Sequence, residues 1–314
     1  MKPQKTLSPV AIALAAVLAL ASCNPSDDLQ PDGPQAIRFN AGIGPQAVAT
    51  PQTRATGTIW NSGDAIGIFM LKNKETAIAS TYAANKKFTT EAASLFRPVS
   101  GHEIYFPLDA DHHTDFIAYY PYTDTDRLGM DSQIPVSTAD QTRQPAFDVM
   151  WARADNNGEG YDKNFRGNIP LVFRHRLARL TMNCKFEANT GITAFDTDAT
   201  VTLRGMNTAT TFAVRDGALG TPATPADMVA RKATTASDYA GTYDAIIVPD
   251  TYAAGTVTVE FYVNHETYVW KMDATTFASG NDYAYEVLIT RTGVTATGSI
   301  TPWTTETQGP VYAE

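Results

Sequence analysis

The chain has 314 residues, of which 43% are hydrophobic and 18% are charged, and its 33 acidic against 24 basic side chains give a net charge of −9 at pH 7. This composition is ordinary for a globular protein, and the acidic balance argues against nucleic acid or an anionic membrane surface as a partner. The length exceeds what one hydrophobic core usually absorbs, so two domains are expected.

The N-terminal residues have the features of a signal peptide. Two lysines among the first five residues precede an apolar run over residues 9–20. That run is shorter than the roughly 20 apolar residues that a membrane-spanning helix needs. Residues 20–23 read Leu-Ala-Ser-Cys and resemble the lipobox, in which the Cys thiol receives diacylglycerol before the preceding bond is cut. We therefore predict a lipoprotein signal peptide over residues 1–22 and a lipid anchor on Cys23.

The residues that follow predict a tether and then a series of strands. Residues 23–35 are polar and rich in proline, which is typical of a flexible linker. From residue 36 onward the hydrophobic pattern has a period of two, which indicates β-strands with one buried face. The clearest windows are Ile37–Ala41, Ile66–Met70, Val201–Leu203, Val257–Val263 and Tyr283–Ile289. Turn-forming residues separate the windows, and Asn61–Asp64 predicts a turn directly after Trp60. The best helical window, around Thr76–Ala84, predicts only a short surface helix.

Residues 44–58 have the composition of an exposed loop. Pro45 and Pro51 resist regular strand pairing, small polar residues surround them, and Arg54 is the only charged residue of the segment. Exposed loops of this kind are where proteases cut. On these grounds alone, an ordinary surface arginine explains Arg54 equally well.

Many short strands rich in β-branched and aromatic residues favour β-sandwiches. A polar loop over residues 155–168 precedes a long strand, Leu171–Leu180, in which Phe173, His175, Leu177 and Arg179 are expected to share one face. The predicted fold is therefore all-β, with two β-sandwich domains in tandem. The first domain is placed at residues 36–170 and the second at residues 171–314.

Two polar clusters offer ligands for a cation. Residues 109–115 contain three aspartates and two histidines, but adjacent histidines of a strand point to opposite faces. Residues 155–162 begin like a calcium loop, yet the twelfth position, which should be a glutamate, is Arg166. A hydrophilic hairpin and a polar loop are the simpler explanations, and the sequence leaves open whether either cluster binds a cation.

No catalytic constellation is recognisable. His175 lies in a predicted strand between two arginines, where a packing or hydrogen-bonding role is usual. Cys184 would be the single cysteine of the mature chain and is expected to be a small buried hydrophobe. The sequence has no nucleophile elbow, no phosphate-binding glycine loop and no helical zinc motif. We therefore predict a protein that is not an enzyme and needs no cofactor.

An ordered set of short motifs resembles the fimbrillin (Mfa-like) family, the subunits of type V pili. The motifs extend over about residues 36–304. In order they are Thr53-Arg54-Ala55, Trp60-Asn61-Ser62-Gly63-Asp64-Ala65-Ile66-Gly67-Ile68, Tyr119-Tyr120-Pro121-Tyr122, Asp148-Val149-Met150, Leu171–Leu180, Ile246–Pro249 and Ile300–Trp303. The resemblance implies two transthyretin-like sandwiches, exported to the cell surface as an outer-membrane lipoprotein.

The resemblance also implies how such a subunit assembles. An arginine-specific protease cuts between Arg54 and Ala55, after the first strand, and detaches that strand together with Cys23. The groove that opens takes a strand from another pilus subunit by β-augmentation. The tail Gly293–Glu314, with few charges, is the expected donor.

The expected function is therefore that of a structural or tip subunit of an adhesive pilus, assembled into a fimbrium with other pilus subunits. One alternative is the anchor subunit of such a pilus, which would keep its lipid. The other is a surface lipoprotein that binds glycans without polymerising. Tyr119, Tyr120 and Tyr122 would be the exposed aromatic residues of that glycan-binding protein.

Overall fold

The computed structural model describes residues 36–44, 59–75, 83–92, 94–109, 112–125 and 128–303. Contacts between residues divide the chain into Met1–Gln35 and a second unit, Ala36–Glu314, which contains all of these ranges. The strands are β1 (Phe39–Ile43), β2 (Ala65–Lys72), β3 (Lys86–Ala92), β4 (Leu95–Pro98), β5 (Thr114–Tyr120), β6 (Gln133–Ser137), β7 (Met150–Ala154), β8 (Ile169–His175), β9 (Ala178–Phe186), β10 (Thr200–Ala213), β11 (Ala223–Val229), β12 (Arg231–Lys232), β13 (Gly241–Ile247), β14 (Asp250–Tyr252), β15 (Thr258–Val263), β16 (Glu266–Lys271), β17 (Thr275–Phe277), β18 (Asn281–Thr290) and β19 (Gly293–Pro302).

The predicted all-β class is confirmed. The five windows of period two coincide with β1, β2, β10, β15 and β18. Besides strands, the described ranges contain short 3-10 turns at Gln141–Ala146, Asn156–Gly158 and Ala188–Thr190. In these ranges no helix is long and apolar enough to cross a membrane. The surface helix predicted around Thr76–Ala84 lies mostly outside them.

Seven strands of the first half close into a barrel in the order β1-β4-β3-β2-β5-β7-β8. All neighbours are antiparallel except β1 and β8, which run parallel. Alternate side chains point inward and form one apolar cluster, because successive residues of a strand face opposite sides. The largest fully buried members of this cluster are Phe39, Phe88, Phe96, Phe116 and Phe173.

The second half consists of two sheets that enclose another apolar cluster. One sheet has the order β11-β10-β15-β16, and β6 also pairs with β10. The other has the order β12-β13-β9-β18-β19, with β9 and β18 parallel. Leu203 and Phe261 reach the cluster from the first sheet, and Leu180 and Tyr283 reach it from the second. A separate two-stranded sheet joins β14 to β17.

The chain passes from the barrel to the sheets of the second half a few residues after the predicted boundary near residue 170. β8, most of which was assigned to the second domain, pairs with β1 and β7 of the barrel. β6, from the first half of the chain, instead pairs with β10. A third buried cluster, with members such as Phe69, Phe212 and Trp303, contains residues of both halves. The division into two domains stays a prediction.

The sequence predicted one continuous strand over Leu171–Leu180, and the structure has two. β8 buries its odd-numbered residues up to Leu177, whereas β9 buries even-numbered residues from Ala178 onward. The chain passes here from the barrel to the second sheet, and this change of sheet inverts the buried face. The common strand face predicted for Phe173 through Arg179 is therefore wrong.

Candidate functional site

The first strand occupies a gap in the barrel wall between β4 and β8, which we call the β1 slot. Parallel pairing with β8 covers all five residues of β1, whereas pairing with β4 covers only two. Further main-chain bonds hold the chain just before and just after β1. The N–H of Ile37 donates to the carbonyl of Ile104 at 2.8 Å, and the N–H of Gly44 donates to the carbonyl of Phe173 at 2.7 Å.

Side chains of β1 and of the two residues before it alternate between the barrel core and solvent. The buried residues are Ile37, Phe39, Ala41 and Ile43, and the exposed ones between them are Arg38 and Asn40. The Phe39 ring makes edge contacts with Phe88 and Phe116, at centroid distances of 5.1 and 5.2 Å. The β1 slot is therefore an apolar groove whose main-chain bonds and inward pockets are both filled by β1.

Trp60 contributes a hydrogen bond that β4 does not supply. β4 begins at Leu95, which pairs with Asn40. Just before it, the Ser94 carbonyl still accepts from the Ala41 N–H at 2.8 Å, but the bond to the Ala41 carbonyl comes from a side chain. The indole Nε1–H of Trp60 donates to the Ala41 carbonyl at 2.7 Å in a buried position. This bond matters because a buried carbonyl without a partner costs about 1–3 kcal/mol.

The turn after Trp60 holds this residue in place. The backbone N–H and the side-chain amide of Asn61 donate to Asp64 Oδ2 at 2.7 and 3.1 Å, and Gly63 has a φ of +88°, which favours glycine. Burial raises the pKa of the Asp64 carboxyl above its ordinary value, although the bonds from Asn61 oppose that rise. The sequence predicted this turn, which the structure confirms, but not the bond from Trp60 to β1.

The predicted lipidation and processing residues, Cys23, Arg54 and Ala55, lie outside the described residues, and both predictions therefore stay predictions. The described residues on either side of the Arg54 segment both belong to the β1 slot. Gly44 ends the pairing of β1 with β8, and Trp60 bonds to β1.

The first ten residues of the predicted donor tail form β19, which pairs antiparallel with β18 along its whole length. Trp303, directly after it, is buried and stacks on His175 with ring centroids 3.8 Å apart. Residues 304–314 lie outside the described ranges. In this state, therefore, β19 belongs to its own chain's sheet, and the donor role of the tail stays a prediction.

The polar cluster at residues 109–115 is occupied by bonds within the protein. Buried Asp115 accepts from the Asn73 amide at 2.9 Å, from the Lys74 N–H at 3.2 Å and from the Arg153 guanidinium at 2.7 Å. His112 contacts the Asp109 carboxylate at 3.0 Å. Asp111 is not among the described residues. The hairpin predicted here is only half formed, because residues 104–106 are not a strand.

The second cluster forms a local turn. Asn156–Gly158 is a 3-10 turn, and the Asn156 amide donates to the Gly160 carbonyl at 2.9 Å. Across the part of the chain that the structure describes, no three Asp, Glu, His or Cys residues are grouped as metal ligands.

His175 and Cys184 are both buried in the positions that their predicted packing roles require. The Nδ1 atom of His175 lies 2.9 Å from Asp148 Oδ1, and both side chains are almost fully buried. Cys184 is completely buried, which raises the pKa of its thiol to about 12. Sequence reasoning missed Asp148 as the partner of His175, although Asp148 is the first residue of one of the motifs that resemble the fimbrillin family.

The glycan-binding alternative required three exposed aromatic rings, and the structure buries two of them. Tyr119 is 0% exposed, and its hydroxyl donates to Asn85 Oδ1 at 2.6 Å. Tyr120 is 3% exposed and packs against Trp60. Tyr122 is half-buried, with the Lys87 ammonium 5.0 Å from its ring centroid. The expected aromatic binding surface is therefore wrong for Tyr119 and Tyr120.

Comparison with known proteins gives the family. The chain matches the model of the fimbrillin-like family over residues 53–303. It is 30% identical over 307 residues to a protein of Bacteroides uniformis that is named as a fimbrium subunit, Fim1C, and the match covers 93% of each chain. The chain therefore belongs to the fimbrillin-like family, as its motifs predicted.

Two solved structures resemble this fold. One, from Bacteroides uniformis, is described as a cell adhesion protein; it superposes with a TM-score of 0.67 at 26% identity, over 86% of this chain and 98% of that one. The other, from Bacteroides ovatus, has a TM-score of 0.65 at 23% identity, over 87% of this chain and 99% of that one.

Proposed function

We propose that this protein is a stalk or tip subunit of a type V pilus on the bacterial cell surface. It is exported as a lipoprotein anchored to the outer membrane through Cys23 and is then cut by an arginine-specific protease after Arg54. Strand exchange joins it to other pilus subunits. The subunit is structural and serves adhesion, and its assembly needs no catalytic residue and no cofactor.

The observation that carries this proposal is the position of β1. β1 fills an apolar slot in the barrel, and the chain that leaves its C-terminal end continues through the Arg54 segment to Trp60, which bonds to β1. Cutting that segment would leave β1 held to the rest of the barrel only by hydrogen bonds and packing. Once β1 leaves, an unpaired edge on β8 and a row of apolar pockets remain, which are the requirements for β-augmentation.

Similarity to known proteins supports the same function. The family match and the fimbrium subunit of Bacteroides uniformis point to a fimbrial role. The anchor subunit is the weaker alternative, because an anchor would have to keep both Cys23 and β1. Binding of glycans by exposed tyrosines is not supported, because Tyr119 and Tyr120 are buried.

Replacing Arg54 tests the proposal. Arg54→Ala should leave a full-length lipidated monomer and no fibres, because the protease then lacks its site and β1 stays in place. N-terminal sequencing of the surface protein and electron microscopy of the cells are the measurements. Wild-type surface protein should begin at Ala55.

Arg38→Ala is the matched control, since Arg38 is an exposed arginine that directly precedes β1 and lies outside the proposed processing segment. This variant should be processed and should form fibres like wild type. Fibres built from subunits that still begin at Cys23 would contradict the proposed assembly.

A further inference from the structure

We infer that Trp60 selects the strand that the β1 slot accepts, an inference that rests on the strand-exchange function proposed above. The accepted segment is extended and points four apolar side chains inward at alternate positions. The third of these four side chains is small, and the other three are large. The segment that fills the slot, β1 with the two residues before it, has this pattern: Ile37, Phe39, Ala41 and Ile43.

The position of the Trp60 ring explains the small residue. Within the β1 slot, Phe96 of β4 lies opposite Phe39, and Phe173 of β8 lies opposite Ile43. The Trp60 ring contacts Phe96 and Phe173, with centroid distances of 5.1 Å to each. The indole therefore fills the core between the levels of residues 39 and 43. At the intermediate level β1 has an alanine, which is fully buried.

The hydrogen bond from the same ring fixes where a strand stops. Trp60 Nε1–H is aimed at the main-chain carbonyl of residue 41, at 2.7 Å. Every residue has such a carbonyl, so the bond alone does not distinguish one sequence from another. A strand shifted by two residues would still meet the indole with a carbonyl, but it would place a large side chain against the ring. Size exclusion and the hydrogen bond together therefore define one register.

The residues between the buried positions impose little selection. Arg38 and Asn40 are exposed, so charged and polar side chains are accepted there. The partner is thus recognised as a segment of another pilus subunit that reads large-x-large-x-small-x-large in apolar residues. A segment with leucine or a larger residue at the third position should be refused.

Peptide exchange tests the inference. Protein cleaved until N-terminal sequencing gives Ala55 is incubated with a fluorescent peptide of residues 36–44, and binding is followed by anisotropy. The peptide carrying Ala41→Leu should bind about ten- to a hundredfold more weakly, because a close-packed core resists added methylene groups. The matched Asn40→Leu peptide, altered at an exposed position, should bind within about threefold of the original.

A change of Trp60 gives the reciprocal test. In Trp60→Leu protein, the Ala41→Leu peptide should recover most of its lost affinity, since the smaller side chain makes room. Should that protein not fold, Trp60→Phe keeps a smaller aromatic ring and loses the N–H; it should weaken the original peptide about tenfold and leave the preference for a small third residue.

The outcomes separate the two proposals. Equal binding of the Ala41→Leu and Asn40→Leu peptides would overturn the role of Trp60 and leave strand exchange standing. If no peptide exchanges into the cleaved protein, both proposals fall. The uncut chain gives an independent check, because Ala41→Leu should lower its midpoint of urea unfolding and Asn40→Leu should not; equal midpoints would overturn the inference without any cleavage.

Discussion

Several ionisable side chains of this protein are buried, and their burial limits the reactions in which they can take part. Cys184 is a thiol that the fold removes from reaction, because burial favours the neutral form of an ionisable group. Asp115 and His175 are likewise enclosed by partners of opposite or polar character. These three ionisable side chains are therefore part of the buried packing of the protein.

The Cys184 thiol should make stability depend on alkaline pH. Its folded-state pKa is raised from 9.0 to about 12, so its contribution is complete below pH 9 and is lost as the pH rises towards 12. The free energy of unfolding of wild type should therefore fall more steeply between pH 9 and pH 11 than that of Cys184→Ala. Urea titrations of both proteins at several pH values measure this difference. Parallel curves would show that the thiol titrates alike in the folded and unfolded states.

The limits of sequence reasoning are clear at this scale. The motif around Trp60 could be found from sequence, and so could the turn that follows it. The target of its indole could not, because that target is a main-chain carbonyl of β1 that lies 19 residues earlier in the chain. Burial of Asp115 was also hidden, since an aspartate in a polar run usually indicates solvent.

At the scale of elements, glycines mark where strands approach aromatic rings. Gly67 of β2 lies directly opposite Tyr119 of β5, and a Cβ atom on Gly67 would lie 2.1 Å from the Tyr119 ring. The ring is itself fixed by burial and by its bond to Asn85. Gly67, the second glycine of the Trp60–Ile68 motif, is thus required by the packing of the barrel.

Gly67→Ala should lower the free energy of unfolding by about 1–3 kcal/mol, because either Tyr119 or the strand must shift. Gly42→Ala is the matched control: this glycine also lies in a barrel strand, and an added Cβ would meet nothing within 4 Å. The control should stay within about 0.5 kcal/mol of wild type. Urea unfolding followed by tryptophan fluorescence compares the two. Similar losses for both variants would contradict the role assigned to Tyr119.

Sequence reasoning found strands more reliably than it found their partners. Alternation of apolar residues located β1, β15 and β18, because each has one buried face, and it also located β2, which is buried on both faces. It could not show that the chain changes sheets between β8 and β9, since the hydrophobic pattern continues through the change. The parallel pairing of β1 with β8 was equally inaccessible, because it joins residues that are more than a hundred positions apart.

At the scale of the whole molecule, buried contacts join the barrel to the two sheets of the second half. Trp151 of the barrel donates from Nε1 to the Val214 carbonyl at 3.0 Å, and the Arg176 guanidinium lies over its ring. Gln141 bonds to both the N–H and the carbonyl of Ile246, each at 2.9 Å, as a strand neighbour would. Trp303 adds its stack on His175. These contacts predict that both halves unfold together.

Trp303→Ala should separate the two halves in unfolding. Removing a buried tryptophan typically costs about 3–5 kcal/mol, and here the lost contacts join the barrel to the sheets. Wild type should show one calorimetric transition, whereas the variant should show two. Trp270→Ala is the control, because Trp270 packs only within the cluster of the second half; it should lower stability and add no transition. Two transitions in wild type would contradict this account.

The direction of β1 has a consequence for any polymer built through the β1 slot. The slot and the strand that fills it are different surfaces, so each junction is heterologous, and repetition gives an open filament without closing into a symmetric dimer. Because β1 runs parallel to β8, a replacement that keeps this direction enters every subunit from the same side. Such a filament is polar: one end always presents an empty slot and the other an unused strand. Growth and termination are then distinct events at distinct ends.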